Sequence, residues 1–180
     1  PLEKQIEFAE RYGKPQEKMW DYVFELAEKR NVTIVWAAGN ENCFGAMDTS
    51  KRNRNTIRVS AVDRNLRRAG FSNYGNFRER NLYESTISAP GVGIWGALPD
   101  NSYDAWQGTS FSAPIITGVV ALIKSENKDL TTSQIIKILQ STGKPVNGAS
   151  EIGNLVKIKD ALIKARQTVA SAITESRASD

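Results

Sequence analysis

Ser110 and Asn40 are the two residues whose types and positions could do chemistry. Ser110 begins a long apolar segment, so its hydroxyl and N–H would lie at the positive end of a helix dipole, which favours developing negative charge. Asn40 ends a short apolar run, and an amide at the carboxyl end of a strand could donate to the same charge. Taken singly, Thr109 or Ser110 is more typical of a helix N-cap, and Asn40 after Gly39 of a turn.

The sequence contains no histidine among its 180 residues. No side chain therefore has an unperturbed pKa near neutral pH, and a serine hydroxyl without an adjacent base is a weak nucleophile. Any reaction that needs an imidazole base must obtain the base from outside these residues.

The composition is that of a globular protein, with 40% hydrophobic and 24% charged residues and a net charge of +4. No run of 18 apolar residues occurs, so no membrane span is expected. The single cysteine, Cys43, excludes an intrachain disulfide. Cys43 is three residues beyond Asn40 and could be a reactive thiol, although a buried structural cysteine is commoner.

The hydrophobic periodicity predicts alternating helices and short strands. Helices are predicted at residues 3–12, 16–30, about 110–124 and 132–139, and a last amphipathic helix carries Leu155, Ile158, Leu162, Ala165 and Val169. Strands are predicted at residues 32–38, 56–62 and 86–89, with two weaker candidates within 92–106. The first strand is expected to be buried on both faces, as in a parallel sheet. The pattern predicts an α/β fold with one domain over residues 1–174 and a frayed tail over 175–180.

Several segments also match known motifs. The serine segment reads Gly108-Thr109-Ser110-Phe111-Ser112-Ala113-Pro114, and the asparagine segment reads Ala37-Ala38-Gly39-Asn40-Glu41. Between them lie Ser60-Ala61-Val62-Asp63, Phe71-Ser72-Asn73-Tyr74-Gly75 and Ala89-Pro90-Gly91-Val92. In these segments and their order, the sequence resembles the subtilisin-like serine proteases, the subtilases, over roughly residues 16–145.

The resemblance implies a subtilisin-like three-layer fold with a mostly parallel sheet and serine endopeptidase activity on polypeptide substrates. It implies that Ser110 is the nucleophile, and that the Asn40 amide and the Ser110 N–H form the oxyanion hole. It further implies that Ala37, Ala38 and Gly39 line one wall of a broad primary specificity pocket, and that Trp106 and Gly108 border the substrate. A secreted or periplasmic location is the family expectation.

The sequence departs from the family pattern because it lacks the catalytic Asp and His and the Ser-Xaa-Gly strand, which precede the oxyanion segment. Joint loss of these parts favours truncation. We therefore expect the C-terminal part of a catalytic domain, with its N-terminal strands absent, or present on a separate chain. The isolated chain should be inactive and should associate with the missing portion or with itself.

A non-catalytic pseudoprotease or interaction module with a basic surface is the alternative, supported by the missing histidine and the basic residues between Lys51 and Arg68. No nucleic-acid motif accompanies these residues, so nucleic acid is not an expected partner. The resemblance allows calcium as a cofactor, and Asp63 and Glu84 are candidate ligands, but solvated carboxylates are commoner and no metal site is predicted.

Overall fold

The computed structural model describes residues 1–48, 55–76, 85–147 and 151–178. The helices are α1 (Leu2–Lys29), α2 (Thr109–Glu126), α3 (Thr132–Thr142) and α4 (Ile158–Ala178), and the strands are β1 (Val35–Ala37), β2 (Ile57–Val62), β3 (Ile87–Pro90), β4 (Ile94–Leu98) and β5 (Ser102–Trp106). In the described connections there are two short 3-10 helices, Gly45–Met47 and Pro99–Asn101. No helix of the described residues is long and apolar enough to cross a membrane.

The central sheet consists of β1, β2 and β3 in that order, and both pairings are parallel. All six residues of β2 are buried, because β2 lies between the other two strands, with α2 on one face and residues such as Asn73 and Ser85 on the other. Strands β4 and β5 form a separate antiparallel hairpin that leads directly into α2. The α/β prediction with a mostly parallel sheet is therefore confirmed.

The layers follow from the alternation of side chains along the strands. Val35, Ile57 and Val59 face a core formed with the helices behind the sheet, whose buried members include Ile116, Val119, Ile123, Ile135, Leu139, Ala161 and Ala165. Trp36 points to the opposite face, where its ring meets Trp20 of α1 edge-on at 5.8 Å. The sheet is thus covered by α2 on one face, while on the other face α1 contacts β1 at Trp36, and Ser60 of β2 contacts Asn73 and Ser85.

The first helical region differs from the sequence prediction. Two helices were expected at residues 3–12 and 16–30, but α1 is continuous across Gly13-Lys14-Pro15. A proline inside a helix removes one hydrogen bond and costs about 3 kcal/mol. The contacts of α1 on either side of Pro15 offset this cost, because Ala9 packs against Phe44 and Trp20 against Trp36.

The first strand is shorter and less buried than expected. Strand β1 has three residues, each only partly buried, so the expectation of burial on both faces is wrong. Within the described residues β1 pairs with β2 alone and lies at the sheet edge. Since only internal strands of a parallel sheet are covered on all sides, an edge position explains the partial exposure.

The predicted stripe of the last helix is confirmed at Leu162 and Ala165, which pack in the main core, and wrong at Leu155 and Ile158. Helix α4 begins at Ile158, which is 43% exposed, and Leu155 lies before it in bridges to Ser88 and Lys144. Among the α4 residues before position 169, Ala161 and Ala165 are fully buried and pack in the main core. The side chain of Val169 is outside the described part. The frayed tail over 175–180 stays a prediction, since α4 is helical to Ala178 and residues 179–180 lie outside the described residues.

Candidate active site

Ser110 is the second residue of α2 and is exposed. Its N–H is one of the first four of the helix, which have no intrahelical acceptor. The N-cap position is occupied by Gly108, which has no side chain that could cap the helix. The N-cap interpretation of Thr109 and Ser110 is therefore wrong. The Ser110 hydroxyl and N–H both lie at the positive end of the helix dipole.

The first turn of α2 is anchored to the end of β3. The buried Ser112 hydroxyl donates to Ala89 O at 3.2 Å and to Pro90 O at 3.0 Å, and Gly108 N donates to Gly91 O at 2.8 Å. A Cβ at Gly91 would lie 2.4 Å from Ser112 Oγ, so the helix start and the strand end fit only with glycine there. These contacts place Ser110 above the carboxyl ends of the parallel strands.

Asn40 reaches the same place from β1. Gly39 has φ +108°, a conformation that favours glycine, and its N–H donates to Thr109 Oγ1 at 3.1 Å. The Thr109 N–H and hydroxyl both donate to Asn40 Oδ1, at 2.9 and 3.0 Å. Residues 69 positions apart in sequence are thus joined by direct hydrogen bonds.

The orientation of the Asn40 amide follows from these bonds. A backbone N–H can only donate, so the amide atom that faces Thr109 N must be the oxygen. Asn40 Nδ2 is therefore the free end, and no acceptor for it lies among the described residues. Asn40 is exposed. A donating amide and the N–H of Ser110 thus stand together at the open end of the sheet, where both could bind an oxyanion.

The family follows from a comparison with known proteins, since residues 7–168 match the sequence profile of the Subtilase family. The chain belongs to the subtilase family. Alkaline elastase YaB of Bacillus sp. (strain YaB) is 34% identical over 139 residues, and subtilisin DY of Bacillus licheniformis is 36% identical over 121 residues. These matches cover 77% and 66% of the chain.

Solved subtilases show the same fold. A protease from Pseudoalteromonas arctica PAMC 21717 aligns with a TM-score of 0.70 and 30% identity over 79% of this chain, and a cold-adapted subtilisin-like serine proteinase aligns with a TM-score of 0.64 and 29% identity over 73%. The chain spans 33% of alkaline elastase YaB, 42% of subtilisin DY, and 45% and 46% of the two solved proteins.

The structure places the predicted substrate-binding residues of this subtilase chain around the same end of the sheet. Ala37 and Gly39 are partly exposed, whereas the side chain of Ala38 is only 5% exposed. Trp106 ends β5 and is 48% exposed, and Gly108 is buried two residues later beside Asn40. Their roles in substrate binding remain predictions.

The candidate metal ligands form no site in the described residues. Asp63 Oδ1 accepts from Asn65 N at 2.8 Å and from Arg67 N at 2.9 Å, so it closes a turn. Glu84 lies outside the described residues. In the described part of the chain, no group of three or more His, Cys, Asp or Glu side chains could hold a metal ion.

The described part of the basic stretch, residues 55–68, does not form one continuous basic surface. Lys51, Arg52 and Arg54 lie outside the described residues, and Arg58 is buried on β2 with 5% exposure. Arg68 donates to Asn42 Oδ1 at 2.8 Å and to Ser72 O at 2.7 Å, and lies over the Tyr74 ring. Arg64 and Arg67 are exposed. The described part of the predicted basic surface is therefore reduced to a few exposed side chains at one turn.

The sequence gives no indication of a role for Asn73, although this residue lies in one of the matched segments. Asn73 is buried and hydrogen-bonds the segment that carries Asn40. A single asparagine between Ser72 and Tyr74 is typical of a turn, and nothing local indicates a partner more than 30 residues away. Cys43 lies in the segment that carries Asn40. It is partly exposed, and its thiol lies 3.6 Å from Asn73 Oδ1.

Proposed function

We propose that this chain is the C-terminal portion of the catalytic domain of a serine endopeptidase, with Ser110 as nucleophile. The observation that carries the proposal is the pair of hydrogen bonds from Thr109 to Asn40 Oδ1. They turn Asn40 Nδ2 outward beside the start of α2, where Ser110 presents its hydroxyl and its N–H. Family membership supports peptide-bond hydrolysis as the reaction.

In the proposed reaction, Ser110 Oγ attacks the carbonyl carbon of the scissile peptide bond, and a base takes the hydroxyl proton. The carbonyl oxygen becomes negatively charged and accepts hydrogen bonds from Ser110 N–H and Asn40 Nδ2. The carbon–nitrogen bond then breaks as the amine leaves with the proton, and an acyl-enzyme forms on Ser110. Water attacks the ester carbonyl, its proton passes to the base, and Ser110 is regenerated as the acid product leaves.

The proposed base is a histidine held by an aspartate in a part of the catalytic domain outside this chain. The absence of histidine from the sequence supports this, as does the fraction of its relatives that the chain spans. That part would approach Ser110 from its exposed side. The isolated chain is accordingly proposed to be inactive.

The outer edge of β1 is the proposed place where further strands add to the sheet. Within the described residues β1 pairs with β2 alone, so its other edge presents unpaired backbone groups. The strands of the remaining catalytic domain are the proposed occupants, on the same polypeptide or on a separate chain. In their absence the edge would favour self-association.

The proposed substrate is a polypeptide whose side chain before the scissile bond enters a broad apolar pocket beside Ala37, Ala38 and Gly39. Small residues on one wall leave room for a large side chain. Trp106 and Gly108 lie beside the leaving-group side in this proposal. Secretion or export to the periplasm is the proposed location, on the resemblance to subtilases.

The test is covalent labelling of the full-length protein with a fluorophosphonate, combined with hydrolysis of a denatured protein substrate. We expect label on Ser110 and loss of both label and hydrolysis in Ser110→Ala. Ser133→Ala is the matched control, because Ser133 is also exposed and also the second residue of a helix, α3. It should keep full activity.

Two results would contradict the proposal. Full hydrolysis by Ser110→Ala would exclude Ser110 as nucleophile. A full-length protein that neither hydrolyses peptides nor takes up the label would favour the alternative, a pseudoprotease or interaction module. The sequence of the rest of the protein separates the two cases in advance, because the protease requires a histidine and an aspartate there.

A further inference from the structure

Asn73 is a buried polar residue beside the segment that carries Asn40. Its side chain is 5% exposed, and its backbone N–H donates to Gly39 O at 3.0 Å. Neighbouring residues extend this contact, because Asn42 N donates to Phe71 O at 2.8 Å and Tyr74 N to Cys43 O at 3.1 Å. The segment Ala38–Cys43, which we call the oxyanion segment, therefore lies along residues 71–74.

The Asn73 side chain makes five further hydrogen bonds, all to the oxyanion segment, one of them from Cys43 Sγ to Oδ1 at 3.6 Å. Oδ1 accepts from Glu41 N at 3.0 Å and from Cys43 N at 3.1 Å. Nδ2 donates to Ala38 O at 3.1 Å and to Glu41 Oε2 at 2.8 Å. The orientation is unambiguous, since two backbone N–H groups face one end and a backbone carbonyl faces the other. The donor capacity of the amide is fully used.

These bonds bracket Asn40 on both sides without touching it. The oxyanion segment contains two residues with positive φ, Gly39 at +108° and Asn42 at +49°. Glycine adopts a positive φ at no steric cost, whereas at Asn42 the surrounding contacts must hold the backbone in this conformation. Thr109 holds the tip of the Asn40 side chain, but it makes no hydrogen bond to the backbone beyond Asn40. Asn73 makes the hydrogen bonds that fix the backbone on both sides of Asn40.

We propose that Asn73 is a positioning residue for the oxyanion-binding amide of Asn40. This inference rests on the proposed function. An oxyanion donor is effective because it is already in place before charge develops, so a looser segment weakens transition-state binding more than substrate binding. Loss of the donor itself lowers kcat by about 10²–10³-fold, as measured in a subtilisin. Loss of Asn73 should lower kcat by about tenfold, since misplacement leaves part of the interaction.

The first experiment compares Asn73→Ala with Asn76→Ala in the full-length protein. Asn76 is the matched control because its side chain also makes two backbone hydrogen bonds, to Ser85 N at 2.9 Å and Ser85 O at 2.8 Å, but none to the oxyanion segment. We expect kcat to fall about tenfold with KM within about twofold in Asn73→Ala. Asn76→Ala should keep both constants.

The second readout does not need activity. Cys43 is the only cysteine in the sequence, and its thiol lies 3.6 Å from Asn73 Oδ1. Its alkylation by iodoacetamide, followed by peptide mass spectrometry, therefore reports opening of the oxyanion segment. The rate should rise several-fold in Asn73→Ala and stay unchanged in Asn76→Ala.

A double-mutant cycle separates positioning from general damage. If Asn73 acts through Asn40, then adding Asn73→Ala to Asn40→Ala should cost little further kcat. Asn73→Asp serves if Asn73→Ala does not fold, because it keeps the shape and the acceptor but loses both donated bonds. Its carboxylate would face that of Glu41, so Glu41→Gln should restore part of the activity of Asn73→Asp.

Three results would overturn the inference. They are equal kinetics for Asn73→Ala and Asn76→Ala, a full multiplication of the Asn73 and Asn40 effects, and unchanged alkylation of Cys43. Unchanged alkylation of Cys43 would overturn the inference whether or not the protein is active. A wild-type protein without hydrolysis would refute the proposed function, while faster alkylation in Asn73→Ala would still show that Asn73 holds the oxyanion segment.

Discussion

Thr109 and Asn40 are joined twice, because both the N–H and the hydroxyl of Thr109 donate to Asn40 Oδ1, at 2.9 and 3.0 Å. The same hydroxyl accepts from Gly39 N at 3.1 Å and is fully buried. One small side chain therefore orients the amide of Asn40 and satisfies a backbone donor beneath it.

The first prediction concerns this hydroxyl. Thr109→Val preserves the side-chain shape but leaves the Gly39 N–H without its acceptor, which costs about 1–3 kcal/mol of unfolding free energy. In the full-length protein kcat should also fall about tenfold, because Asn40 loses one of two holding bonds. Thr109→Ser keeps the hydroxyl and should retain most of the stability and most of kcat. Denaturant unfolding and steady-state kinetics measure the two effects. Equal unfolding free energies and equal kcat values for Thr109→Val and Thr109→Ser would contradict the prediction.

The second prediction concerns Gly39. A Cβ at this position would lie 2.3 Å from Asn73 Nδ2 and 2.6 Å from Glu41 Oε2, and φ is +108°. Gly39→Ala should therefore destabilise the protein by about 1–3 kcal/mol and displace the oxyanion segment. Gly70→Ala is the control, since a Cβ there meets nothing within 4 Å. Equal melting temperatures for the two variants would contradict the prediction.

The third prediction is a gain in stability, in contrast to the losses expected at Thr109 and Gly39. Gly118 is an exposed residue in the middle of α2, and a Cβ there would meet nothing within 4 Å. Gly118→Ala should raise the free energy of unfolding by about 0.5–1 kcal/mol, because alanine loses less backbone entropy in a helix. Thermal unfolding measures the change. A melting temperature equal to or below that of the wild type would contradict the prediction.

The fourth prediction concerns the start of α3. Thr131 forms a capping box with Gln134: its hydroxyl accepts from Gln134 N, and Gln134 Oε1 accepts from Thr131 N at 2.8 Å. Thr131→Ala should cost about 1 kcal/mol of unfolding free energy. Thr131→Ser should cost much less, because serine also caps. Denaturant titrations of the two variants give the difference, and equal losses would exclude the cap as the cause.

The fifth prediction concerns pH. Arg166 donates to Glu126 Oε1 at 2.8 Å, which links α4 to α2, and this hydrogen bond lowers the pKa of Glu126 below its ordinary value of 4.5. A depressed carboxyl pKa stabilises the folded state above about pH 4.5, and the benefit is lost as pH falls through the folded pKa. Arg166→Gln should therefore lose less stability than the wild type between neutral and acidic pH. Added salt should reduce this difference between the wild type and Arg166→Gln. Parallel profiles of unfolding free energy against pH for the two proteins would contradict a stabilising role for the Arg166–Glu126 pair.

The sequence by itself determined the fold class and the two central residues of the site. Short β-branched runs alternate with amphipathic segments, and this local periodicity is sufficient for the parallel strands and for α2 and α3. The serine segment and the asparagine segment were recognisable because each is a continuous run of residues. The absence of histidine, also a property of sequence alone, is the basis for proposing that the base lies outside this chain.

Only the tertiary structure decided how the two residues are held. Thr109 and Asn73 orient the Asn40 side chain and its backbone across 69 and 33 positions, and hydrogen bonds between distant residues leave no periodic signal in a sequence. The same reason explains the errors: α1 continues through Pro15 because of contacts with β1 and the Phe44 region, and β1 is half-exposed because it lies at the sheet edge. Local propensity fixes which segments can be helix or strand, whereas burial and partner choice depend on residues that meet only after the chain has folded.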